Sequence, residues 1–157
     1  MSEVSRILII DDDENIRKVL EAILRDEGYI VESVDTAKKG IEKSTKSFYN
    51  LALIDVRLPD MEGIELLSKL RETKPKMRKI IVTGYPTLQN AIAAVNKGAD
   101  AYVMKPFDVE KLLQTIKEQL KKQKEEQAFT EEKVAEFIET RVKELEALDE
   151  IRVKKYL

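Results

Sequence analysis

Apolar residues recur along this chain in two alternating rhythms. Short runs, RILII from Arg6 to Ile10, IVESV from Ile30 to Val34, NLALI from Asn50 to Ile54, KIIV from Lys79 to Val82 and AYVM from Ala101 to Met104, read as buried strands. Between them, apolar residues return every three or four positions, the rhythm of an amphipathic helix. Ile16, Val19, Leu20, Ile23 and Leu24 mark a first helix that stops at Gly28. Thr36–Lys46 reads as a second, with Ala37 and Ile41 inward. After a loop over 58–63, Ile64, Leu66, Leu67 and Leu70 open a third. Leu88, Ile92 and Val95 mark a fourth, closed by Gly98, and Val109, Leu112, Leu113, Ile116 and Leu120 mark the fifth. Five strand–helix repeats predict an α/β fold: a doubly wound parallel sheet, right-handed crossovers, and helices on both faces.

Beyond Leu120 the pattern changes. Residues 121–127 are almost wholly charged or amide, a solvated helix end or a linker. Thr130 then has the features of an N-cap, with Glu131 and Glu132 behind it and Phe129 and Val134 placed as a hydrophobic staple. Val134, Phe137, Ile138, Val142, Leu145, Leu148 and Ile151 continue as an apolar stripe, so this is one amphipathic helix or two in series. The expected division is 1–127 for the α/β domain and 128–157 for a helical tail whose apolar face needs a partner.

Composition narrows the function. A chain of 157 residues buries a real core. Its 28 basic and 30 acidic residues give a charge of −2, with no general pull on nucleic acid or anionic membrane. With no cysteine and no histidine, thiolate zinc sites, cysteine nucleophiles and phosphohistidine are excluded. The polar start does not resemble a signal peptide, and no apolar run approaches the roughly 20 residues that span a bilayer. The expectation is a cytoplasmic protein.

Chemistry gathers where the strands end. The first runs into Asp11, Asp12 and Asp13, the third into Asp55, the fourth into Thr83 and Gly84, the fifth into Lys105 and Pro106. In an open parallel sheet these ends share one edge, where ligands bind. Carboxylates for a metal ion, a hydroxyl and a lysine for an anion would meet there, a set suited to phosphoryl chemistry. Asp13 reads instead as a helix cap.

The stretches ILIIDDDENIR (7–17), LIDVRLPDMEG (53–63), VTGY (82–85) and GADAYVMKPF (98–107) appear in order and at characteristic spacing. Over about residues 4–127 the chain resembles the receiver domain of two-component response regulators. The resemblance implies a flavodoxin-like sheet of strand order 2-1-3-4-5. It implies Asp55 as phosphoacceptor and Asp11 and Asp12 as the acidic pair for Mg²⁺, with Arg57 adding a backbone carbonyl. Lys105, before a cis bond to Pro106, would pair with phosphoryl oxygens; Thr83 would donate its hydroxyl; Gly84 would admit a close backbone approach; and Tyr102 would turn inward when Thr83 is drawn to the phosphoryl group. The donor would be a histidine kinase, a phosphotransfer protein or a small donor such as acetyl phosphate. The protein would be a switch that catalyses its own phosphorylation and dephosphorylation, its output the surface around the fourth helix, fifth strand and fifth helix.

Arg57 and Tyr85 each lie two residues past a site residue, at positions that flank the attack path in this family. Both are large enough to obstruct hydrolytic water, which predicts a long-lived phospho-aspartate; the alternative is that both point into solvent. An aspartate-nucleophile phosphatase is disfavoured, because such enzymes typically carry a second acid where Arg57 stands. The tail from Thr130, with eight acidic and six basic residues, is a poor DNA-binding face. It is expected to pair with another copy, to dock an output protein as an adaptor, even one independent of phosphorylation, or to link to the output domain of a longer transcriptional regulator.

Overall fold

The computed structural model describes residues 3–156, with side chains through Lys154. Five parallel strands, β1 (Arg6–Ile10), β2 (Ile30–Val34), β3 (Leu51–Asp55), β4 (Arg78–Thr83) and β5 (Ala101–Met104), form one sheet in the order β2-β1-β3-β4-β5. They alternate with α1 (Glu14–Asp26), α2 (Ala37–Lys46), α3 (Gly63–Leu66), α4 (Leu88–Asn96) and α5 (Val109–Tyr156).

Successive strand residues point to opposite faces, and both faces are apolar, hence the continuous runs. Leu8, Ile10, Ala52, Ile54 and Ile81 meet Ala37, Ile64, Leu66, Leu67 and Ala94 on the face of α2, α3 and α4. Ile7, Ile9, Leu51, Leu53, Ile80 and Val82 meet Leu20, Leu24, Leu112, Ile116 and Leu120 on the face of α1 and α5. Helix starts follow local chemistry: the side chains of Asp13, Thr36 and Thr87 accept amide hydrogens from the first turns of α1, α2 and α4.

The helices depart from the sequence reading in four places. α3 is one turn, although Leu66, Leu67 and Leu70 are buried as expected. The Leu67 carbonyl accepts from Lys79 Nζ at 2.6 Å, so a side chain takes the backbone group that a longer helix would use. In α4, Leu88 and Val95 are 77% and 69% exposed and Ile92 is also outward; Ala94 is the buried position. That helix is apolar on two faces, and the small one packs closest. Val19 in α1 is likewise outward.

The fourth departure is Thr130, which caps nothing. It lies inside α5, its hydroxyl donating to the Glu126 carbonyl at 2.9 Å. No glycine or proline interrupts 109–156, and the Lys-, Glu- and Gln-rich stretch favours helix throughout. The chain divides into two units after Gln123. In the first, Gln123 Nε2 donates to the carbonyls of Asn50 and Lys76 at 2.9 and 2.8 Å. In the second, residues 124–154 are all exposed. No helix among the described residues is long and apolar enough to cross a membrane.

Candidate functional site

Strand register builds the site. Ile10 pairs with Ile54, so the next residues, Asp11 and Asp55, emerge side by side from the C-terminal ends of β1 and β3. Asp55 pairs with Val82 and Thr83 with Met104, which steps Thr83 and Lys105 one residue further along the same edge. The β1/β3 border is where the strand order reverses, the crevice position of open α/β sheets.

Carboxylate oxygens of Asp11, Asp12 and Asp55 all lie within 4.8 Å of one another. Asp11 and Asp55 are buried and Asp12 is exposed, giving an acidic cluster open on one side. Lys105 answers it: Nζ donates to Asp11 Oδ2 at 2.8 Å and stands 3.5 Å from Asp55 Oδ1. Burial, and next the charge of Asp11, push the Asp55 carboxyl above the ordinary carboxylate range. The Lys105 charge and the Arg57 backbone N–H oppose that rise. An all-oxygen donor set with one open flank, too crowded with negative charge for one lysine to balance, fits a hard divalent cation such as Mg²⁺.

Supporting contacts hold the acids in place. Asp11 Oδ1 accepts from the Asp13 amide at 2.9 Å, and the Asp11 carbonyl accepts from Arg17 at 2.8 Å. The fully buried Thr83 accepts from the Tyr85 amide at 2.9 Å through Oγ1, and its carbonyl accepts from the Lys105 amide. The Lys105–Pro106 bond is cis. A Cβ added at Gly84 would meet only the Lys105 side chain, at 3.9 Å, so protein atoms leave that backbone open. Tyr102 is half-buried against the α2–α4 core, its hydroxyl at the backbone of Thr87. Arg57 and Tyr85 are exposed but not independent: the guanidinium carbon lies 3.6 Å from the ring centroid.

Two positioning residues escaped the sequence reading. A Cβ on Gly63 would fall 1.9 Å from the Asp55 carbonyl oxygen, so only glycine lets α3 start against the end of β3. Asp60 reaches across to α2, its two carboxylate oxygens accepting from the amides of Ala37 and Lys38, both at 2.9 Å. Those two backbone hydrogen bonds hold its carboxyl below the ordinary range. Both residues belong to the loop motif after Asp55, where spacing alone does not reveal a partner 22 or 23 residues away.

Comparisons with known proteins give the family. A solved receiver domain protein (CheY-like) from Methanospirillum hungatei JF-1 is 50% identical, with a TM-score of 0.76, covering 79% of this chain and 99% of that one. The beryllofluoride-activated NtrC4 receiver domain dimer is 34% identical, with a TM-score of 0.71, over 75% of this chain and 98% of that one. Among curated proteins, the response regulator ArlR of Staphylococcus saprophyticus is 34% identical over 120 residues, 76% of this chain and 54% of that protein. The transcriptional regulatory protein YkoG of Bacillus subtilis is 35% identical over 119 residues, 76% of this chain and 52% of that protein. The chain thus spans about half the length of the curated relatives it matches. Residues 7–117 match the family described as the response regulator receiver domain, and the chain belongs to that family.

Proposed function

We propose that the protein is a phospho-accepting switch in which Asp55 receives a phosphoryl group at the Asp11–Asp12–Asp55 cluster. The observation that carries this is the placement of Lys105 between two buried carboxylates, one poised as a nucleophile and one as a ligand. Asp55 Oδ attacks phosphorus in line. The bond from phosphorus to the donor, an imidazole nitrogen of a histidine kinase or phosphotransfer protein or the oxygen of an acyl phosphate, breaks with its electron pair. A phosphohistidine donor protonated on its second ring nitrogen leaves as neutral imidazole, and an acyl phosphate leaves as the carboxylate. A bound Mg²⁺ would neutralise phosphoryl charge in the transition state. Asp11, Asp12, Asp55 and the Arg57 carbonyl are the groups that would hold it.

Lys105 then exchanges its contact with Asp55 for a phosphoryl oxygen, and the Thr83 hydroxyl donates to another. The movement of Thr83 frees space toward which Tyr102 turns, changing the surface of α4, β5 and the first turns of α5. That surface already carries exposed Leu88, Ile92 and Val95 on α4, Met104 at the end of β5 and Val109 at the start of α5, apolar positions suited to a partner. The Arg57–Tyr85 stack spans the approach to Asp55 and hinders hydrolytic water, which lengthens the life of the acyl phosphate. Residues 1–127 form the switch and 128–157 the segment that passes its state on, in a protein acting in the cytoplasm.

Incubation with acetyl phosphate tests this reading. Mass gain of one phosphoryl group that needs Mg²⁺, is abolished by a chelator and is strongly slowed in Lys105→Ala is the expected result. Equal labelling with and without a divalent cation overturns it.

A further inference from the structure

The loop that follows Asp55 closes on itself. Arg57 and Glu62 form an antiparallel bridge, and the Gly63 amide donates to the Val56 carbonyl at 2.7 Å. Arg57 therefore stands at the base of a short turn, with Asp60 near its tip. Leu58 and Met61 pack against the core shared by α2, α3 and α4. Apolar contacts of this kind hold the turn down but give it no direction.

Direction comes from Asp60. Its Oδ1 and Oδ2 accept from the amides of Ala37 and Lys38, both at 2.9 Å, two charge-assisted bonds of defined geometry. These first-turn amides of α2 have no acceptor within their own helix. Thr36, the local cap, takes only the Lys39 amide, at 3.2 Å.

The other side of α2 leads to the acids. Ala37 is fully buried, and a Cβ on Gly40 would fall 2.5 Å from Ile10 Cδ1, so the helix lies against the end of β1. The next residue of β1's run is Asp11, whose amide donates to the Val34 carbonyl at 3.1 Å. Contacts thus run without a break from Asp11 through Ile10, α2 and Asp60 to the Arg57 turn.

We propose that Asp60 is a positioning residue for Mg²⁺: it ties the Arg57 turn to α2 and so sets how the Arg57 carbonyl faces Asp11 and Asp55. The role presupposes that Asp11, Asp12, Asp55 and the Arg57 carbonyl hold the cation, as proposed above. A carbonyl on an exposed turn is the least constrained member of that set. Removing a group that orients a metal ligand typically weakens binding by about 10- to 100-fold.

Mg²⁺ titration of isotope-labelled protein, followed through its amide resonances, tests this apart from phosphoryl transfer. Asp60 is exposed, and the same spectra show that each variant is folded. Asp60→Ala should bind Mg²⁺ about tenfold more weakly than the parent. Asp60→Asn, which keeps one acceptor oxygen, should fall between them. The Ala37 and Lys38 amides should exchange faster with solvent in Asp60→Ala. With acetyl phosphate, that variant should need about tenfold more Mg²⁺ for half its maximal labelling rate, the maximal rate being little changed.

Thr36→Ala separates this role from helix capping alone. It removes a bond from the same turn of α2 but leaves the Arg57 turn tethered, so its Mg²⁺ affinity should match the parent. Equal affinity in Asp60→Ala and the parent, or equal weakening in Thr36→Ala, overturns the role of Asp60. A parent that binds no Mg²⁺ at the three acids would sink the cradle itself, and the role of Asp60 with it.

Discussion

The guanidinium of Arg57 stacks on the ring of Tyr85, 3.6 Å from its centroid, tying together the two loops that follow β3 and β4; in the proposed mechanism this pair hinders the approach of water to Asp55. Neither side chain is pinned by burial; each is held by the other. Removing either therefore opens the same path. Arg57→Ala and Tyr85→Ala should each shorten the half-life of the phosphorylated protein by about three- to tenfold, corresponding to about 0.7–1.4 kcal/mol of barrier. The double variant should be little faster than the singles, because the stack acts as one unit. Decay of the phosphorylated mass at neutral pH measures this, and unchanged lifetimes in both singles would refute the role of the stack.

Asp55 carries a folding cost. Its carboxyl is raised by burial first and by Asp11 second, so the folded chain keeps that proton to a higher pH than the unfolded chain. Between the two values the folded state binds more protons, and stability falls as pH rises. The cost grows as pH rises through the raised folded value and is complete above it. In the absence of divalent cation, Asp55→Asn should therefore be more stable than the parent by on the order of 1 kcal/mol. Added Mg²⁺ should raise the melting temperature of the parent more than that of the variant, since binding to the folded state alone is stabilising. Thermal melts with and without Mg²⁺ show both effects.

Lys79 makes an opposite case on the other side of the sheet. It is buried with its Nζ on the Leu67 carbonyl, and desolvation lowers its pKa from the ordinary 10.5. The folded chain releases this proton at a lower pH than the unfolded chain, so the charge costs stability below the folded value and the cost is relieved as pH rises through it. Lys79→Met lacks that relief. Denaturant unfolding across the alkaline range should show the parent gaining on the variant as pH increases, and a constant difference would contradict it.

Gly63→Ala should fail more severely than any surface change. The added Cβ would lie 1.9 Å from the Asp55 carbonyl oxygen, and the atom in the way is backbone. Relief of that overlap moves the start of α3 or the end of β3, at a cost of about 3 kcal/mol. Because β3 ends at the phosphoacceptor, the fraction that remains folded should also accept phosphoryl groups slowly. Denaturation midpoint and labelling rate, measured together, test the two consequences.

Much of this was legible in the sequence, for physical reasons that also mark its limits. Strands buried on both faces leave continuous apolar runs, and the residue that ends each run must reach the sheet edge; β1, β3, β4 and β5 thereby located Asp11, Asp55, Thr83 and Lys105. Helix orientation was less legible. α4 is apolar on two faces, and a three-or-four spacing of Leu88, Ile92 and Val95 carries no information about whether alanines pack closer. Thr130 met every local condition for a cap, but capping requires the chain before it to leave the helix, and Glu125, Glu126 and Gln127 have no reason to. Contacts made through space, Asp60 on the first amides of α2 and Lys79 on Leu67, have no spacing signature at all.

The most direct test of the account is to locate the phosphoryl group. The protein is incubated with acetyl phosphate and Mg²⁺, reduced with borohydride to convert an acyl phosphate to a stable alcohol, and mapped by peptide mass beside Asp55→Asn. Modification of the parent at Asp55 alone, absent from the variant, is the predicted result. Labelling at another residue, or equal labelling of both proteins, would contradict it.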